Sequence, residues 1–63
     1  MPAELYSLMG KEVEVVVKYG DGTKSIIGVL VYNGTQFITL KTNEGLVWVN
    51  TEYIITISLR TGE

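Results

Sequence analysis

From Val13 to Leu40 the chain reads VEVVVKYGDGTKSIIGVLVYNGTQFITL, three apolar, β-branched runs separated by two glycine-marked reversals. This stretch leaves few folds open. Val13, Val15 and Val17 recur with period two, the spacing that places side chains on one face of a strand, and Tyr19 extends the series. Gly20-Asp21-Gly22 supplies residues that tolerate the positive φ of a tight reversal. Asn33-Gly34, a strong hairpin signal, closes the second run onto the third. An antiparallel three-stranded meander follows.

The second run is apolar on both faces: Ile26, Gly28 and Leu30 share one, and Ile27, Val29 and Val31 share the other. Such a strand is covered on both sides or bends to serve two layers. Gly28, in its middle, is the place for the bend. In the third run, from Thr35 to Thr42, Ile38 and Leu40 point inward. Asn43-Glu44-Gly45 then turns the chain into a short fourth strand, Leu46 to Val49. Asn50-Thr51-Glu52 connects it to a fifth, Tyr53 to Leu59, in which Ile55, Ile57 and Leu59 alternate.

Ahead of the strands, residues 1–10 predict one short α-helix. Pro2 suits its first turn, Glu4 its positive dipole end, and Gly10 its stop. Leu5, Leu8 and Met9 form its apolar face. A helix this short is unstable alone in water, so the face must lie on the sheet. Residues 11–59 form the strands and 60–63 a frayed tail. The expected fold is a single, mostly β domain: a short N-terminal helix, then a five-stranded, strongly bent antiparallel sheet of the small-barrel kind.

A chain of 63 residues buries only roughly 60% of its unfolded surface, so its own core stabilises it marginally. It contains neither cysteine nor histidine, which removes disulfides and the usual zinc ligands. Oligomerisation is the remaining support. With 46% hydrophobic and 19% charged residues, some apolar surface is expected to meet another subunit. The fourth and fifth strands end the sheet, and unpaired edges invite pairing with another chain. Trp48, Tyr53, Ile55 and Ile57 are the expected contact residues.

An enzyme is hard to build from these residues, and no cofactor is expected. Glu12 and Glu14 share a strand face, the arrangement of a carboxylate pair, but a solvated face explains them. Gly20-Asp21-Gly22 lacks the later glycine and the helix of a dinucleotide fingerprint. Asn33-Gly34-Thr35 matches the glycosylation acceptor pattern and is read as a turn. The first ten residues lack the pattern of a secretory leader, and no stretch approaches the roughly 18 apolar residues of a membrane span, so a soluble cytoplasmic protein is expected. A net charge of −2 and a pI near 4.9 argue against a generic polyanion binder.

With its helix and five strands, the chain resembles the Sm-like (LSm) family, including its bacterial Hfq branch. Gly28-Val29-Leu30 is similar to the Gly-x-Leu of the first Sm motif, and Gln36-Phe37 to the Gln-Phe pair of the Hfq branch. Val49 to Ile57 follows the spacing of the second motif. The stretch from Gly22 to Gly28 is one residue longer than the family pattern, and Asn33-Gly34-Thr35 replaces the first motif's acidic residue. The cations are missing: Asn50 and Thr51 stand where Sm proteins carry Arg-Gly, and Thr51-Glu52 where the Hfq branch carries Lys-His. The resemblance implies a homo-oligomeric ring that binds short single-stranded RNA at its central pore. Phe37 would stack on a base while Gln36, Asn50 and Thr51 read its edge by neutral hydrogen bonds, and Lys41 would contact phosphate. The competing expectation is a ring-forming interaction module of the same fold without RNA binding, favoured by the acidic pI and the missing cations.

Overall fold

The computed structural model describes residues 3–60. Ala3–Leu8 forms a 3-10 helix, followed by strands β1 (Glu12–Tyr19), β2 (Gly22–Asn33), β3 (Phe37–Thr42), β4 (Gly45–Asn50) and β5 (Ile54–Leu59), with a 3-10 turn, Thr51–Tyr53, before β5. The strands make one antiparallel sheet in the order β4-β3-β2-β1-β5. The meander and its two edge strands therefore stand as expected. The sheet is not closed, however. The chain leaves β4 through a 3-10 turn rather than a hairpin, and β5 pairs with β1 instead of returning to β4.

The core is purely aliphatic: Val13, Val15, Val17, Leu30, Ile38, Leu40 and Val49, with Leu8, Ile26, Val47, Ile54 and Ile57 packed against it. Tyr19 does not extend the valine series inward; beside the Gly20 turn it is 63% exposed. β2 joins the two halves of the sheet. Its residues 22–29 pair with β1, whereas pairing with β3 begins at Val29. At the changeover, the backbone carbonyl oxygen of Lys41 lies 2.7 Å from the place a Gly28 Cβ would occupy. Glycine is required there because another strand's backbone fills the space of a side chain.

Two bulges reset which residues face inward. Between Leu30 and Tyr32 the partner on β3 advances by only one residue, which leaves Val31 extra. Tyr32 thus opposes Thr39 on the outer face and Asn33 opposes Ile38. Between Val16 and Val17 the partner on β5 jumps from Thr56 to Ile54, so Ile55 is the extra residue. The expected Ile55-Ile57-Leu59 alternation is broken there: Ile54 and Ile57 pack on the core, and Ile55 is exposed. A bulge bends its strand and breaks the period of two, which accounts for both shifts.

The Gly20-Asp21 reversal forms as expected. Gly20 takes φ +60° and no described non-glycine residue takes a positive φ, the pattern of a type II′ hairpin turn. Asn33-Gly34 behaves differently. Gly34 is absent from the positive-φ glycines, and its N–H donates to the Phe37 carbonyl at 3.0 Å across a wider loop. It is glycine for steric reasons: the Tyr32 ring comes within 2.7 Å, and the Phe37 carbonyl oxygen within 2.8 Å, of where its Cβ would lie. At the β3–β4 turn, the Thr42 hydroxyl donates to the Gly45 carbonyl and accepts from the Glu44 N–H.

The N-terminal segment is a 3-10 helix, not the expected α-helix. Its exit is held by Met9 N–H to Tyr6 O and Lys11 N–H to Leu8 O, both three residues back. So short a segment gains little from α-helical propagation, and 3-10 geometry eclipses i and i+3. Leu8 consequently reaches the core while Met9 is left exposed. Gly10 ends the helix at φ +79°, and its N–H donates to Leu30 O at 2.7 Å. Arg60 is not frayed, since its N–H donates to Glu12 O at 2.9 Å. Pro2 and residues 61–63, to which the sequence assigns a helix start and a tail, lie outside the described residues.

Candidate functional site

At one end of the sheet the β2–β3 loop meets the β4–β5 connection. Phe37 and Asn50 are cross-strand partners. The Thr51 N–H donates to Gln36 O at 3.0 Å, and its hydroxyl lies 3.0 Å from Thr35 O and 3.3 Å from Gln36 O. One hydroxyl proton serves one of these carbonyls at a time. Asn50 caps the following 3-10 turn, its Oδ1 accepting from the Glu52 N–H at 2.9 Å. Gln36-Phe37 and Asn50-Thr51, two adjacent pairs well separated in the sequence, are thereby gathered at one end.

Their duties differ. Thr51 is a clamp, with its N–H and its hydroxyl proton both directed at backbone carbonyls. Asn50 commits its carbonyl oxygen to the cap, which leaves its amide N–H groups for a ligand. Gln36 is exposed and Phe37 is 41% exposed, so an aromatic face and a side-chain amide are both open to solvent.

Lys41 does not join this cluster. It lies four residues along β3 from Phe37, on the same outward side and roughly 13 Å away at strand spacing. It lines instead a groove of about 550 Å³ that also carries Glu12 and Arg60. Of the expected contact residues, Trp48, Tyr53 and Ile55 are exposed, whereas Ile57 packs on the chain's own core. Trp48 and Tyr53 border a groove of about 200 Å³ at the open seam of the sheet, with Val17, Ile26, Val47 and Val49 also lining it.

Every aromatic residue of the chain is exposed: Tyr6, Tyr19, Tyr32, Phe37, Trp48 and Tyr53. Aromatic side chains usually contribute much of a core's buried area. Comparison with known protein families, curated proteins and solved structures finds no match for this chain. Its surface must therefore be read from its own residues. Sequence reasoning missed Tyr32, whose outward direction depends on the Val31 bulge. It also missed Tyr19, whose ring lies 5.0 Å from the Lys24 ammonium, a cation–π contact.

The remaining chemistry is sparse. Glu14, half of the carboxylate pair considered above, accepts a short hydrogen bond from the Ser25 hydroxyl across the β1–β2 ladder. Among the described residues no group of three or more acidic, histidine or cysteine side chains is placed to hold a metal ion. No described helix is long and apolar enough to cross a membrane.

Proposed function

We propose that this chain is an Sm-like subunit that assembles into a homo-oligomeric ring and holds short single-stranded RNA at the end where Phe37 meets Asn50. The observation that carries the reading is the pairing of an exposed aromatic face with unspent side-chain amides on Gln36 and Asn50. A base stacks on the first and offers its edge to the second. A ring repeats the contact around its axis. The strand order, with β4 and β5 as free edges on opposite sides of one sheet, supplies the two surfaces that head-to-tail closure needs.

No lysine or arginine stands among Gln36, Phe37, Asn50 and Thr51, so few phosphates are neutralised and the dependence of affinity on salt is shallow. Titration of labelled homopolymer RNAs by fluorescence anisotropy at low salt tests this. Phe37→Ala is expected to weaken binding by roughly 1–3 kcal/mol per engaged subunit; an unchanged curve removes the pocket. Glu52, exposed beside the cap, repels phosphate. In the same titration Glu52→Lys is expected to tighten binding and steepen the salt slope, and an unaltered slope would move the phosphates away from this end.

A second reading has its own support. The apolar edges, with Trp48 and Ile55 exposed, together with the acidic pI, suit a ring-forming interaction module that binds no RNA. Absence of binding by the unmodified protein at low salt decides for it.

A further inference from the structure

Outside the loop cluster, the outer face of the sheet carries a row that the ladder fixes. Tyr32 on β2 opposes Thr39 on β3, which opposes Trp48 on β4. Phe37 lies two residues along β3 from Thr39, on the same side, diagonal to Trp48. Tyr32 and Trp48 are 58% and 61% exposed, yet Thr39 between them is only 5% exposed although it points away from the core. Its cross-strand neighbours on that face are Tyr32 and Trp48. The Val31 bulge makes this possible, because an unbroken register would place Tyr32 opposite Ile38, facing the core. The loop also accommodates Tyr32, since a Cβ on Gly34 would collide with its ring.

From this arrangement we infer that Tyr32, Phe37 and Trp48 form one stacking track along which single-stranded RNA runs from the loop end onto the outer face of the sheet. The inference rests on the RNA reading of Phe37 and extends it. Diagonal neighbours on a sheet stand about 7–8 Å apart, which gives each ring room for its own base. Exposed aromatics on a sheet face that stack successive bases are an established solution for single strands. The charge pattern favours RNA over an acidic peptide or a second copy of this acidic chain. The outward positions of β3 and β4 are Phe37, Thr39, Lys41, Leu46, Trp48 and Asn50: none is acidic, and Lys41 is the cation. The chain's negative charge lies off these positions, so a phosphate strand meets no carboxylate along the row itself.

Trp48 is the chain's single tryptophan, and its emission reports a base stacked on it. The full-length protein is titrated at low salt with labelled oligouridylates of three and nine nucleotides, following RNA anisotropy and tryptophan emission together. The nine-mer is expected to quench Trp48. Tyr32→Ala and Trp48→Ala are each expected to weaken the nine-mer by roughly 5- to 150-fold and the three-mer far less, while Tyr32→Phe, which keeps the ring, retains affinity. Phe37→Ala weakens both RNAs. If the nine-mer binds in a Phe37-dependent way but leaves Trp48 emission and Tyr32→Ala affinity unchanged, the track is overturned and the loop-end reading stands. If neither RNA binds the unmodified protein, both fall.

Discussion

Gly28→Val is expected to destabilise this protein strongly. A Cβ at residue 28 would lie 2.7 Å from the Lys41 carbonyl oxygen, 3.0 Å from Thr42 Cγ2 and 3.1 Å from the Lys41 carbonyl carbon. Two of those atoms are backbone and cannot rotate away. Overpacking of a tight site costs about 1–3 kcal/mol, and a backbone obstacle pushes the change to the upper end. A domain of this length has only about 3–9 kcal/mol in total. In so small a domain each kcal/mol lowers the thermal midpoint by roughly 4–8 °C, so the variant melts well below the parent or fails to fold. Gly22→Val is the control: it meets nothing within 4 Å and has no positive φ. Equal midpoints for the two variants would mean that β3 does not cross β2 at Gly28.

Gly28 also shows what the sequence could reveal and what it could not. A glycine inside a run apolar on both faces announced a break in the strand, and pairing passes from β1 to β3 at Val29, one residue on. The valine series, Leu30, Ile38 and Leu40 were legible for the same reason: burial on one face leaves a period of two. Bulges are written in pairing, not in local pattern. Val31 and Ile55 look like ordinary strand residues, and only the partner strand makes each of them extra. The outward Tyr32 and the inward Ile54 were therefore out of reach of periodicity. Asn33-Gly34 marked a reversal correctly, but glycine is needed there beside the Tyr32 ring and not for positive φ. At the site, Gln36, Phe37, Asn50 and Thr51 were singled out through a resemblance to a family pattern, while their meeting at one end of the sheet comes from the Phe37–Asn50 pairing. The clamp role of Thr51 was not legible, since it depends on carbonyls in a loop some fifteen residues away.

Ile55→Lys is expected to convert the proposed ring into monomers without unfolding the subunit. Ile55 is the bulged residue of edge strand β5 and is 56% exposed, while its neighbours Ile54 and Ile57 carry the packing onto the core. Its side chain contributes little to the isolated fold. In the proposed ring, where this edge would pair with β4 of the next subunit, a lysine must be desolvated, and edge lysines are how sheet proteins discourage such pairing. Proline is a weaker probe here, because bulges tolerate it. Native mass spectrometry at micromolar concentration is expected to find a closed oligomer for the parent and monomer for the variant. The variant's thermal midpoint is expected to be lower, since association stabilises the folded chain by mass action. The parent's midpoint should rise with protein concentration, while the variant's should not. A parent that is monomeric at that concentration rules out the ring. A variant that assembles like the parent shows instead that β5 is not the joining edge, which leaves the apolar seam beside Trp48 and Tyr53 as the surface to test next.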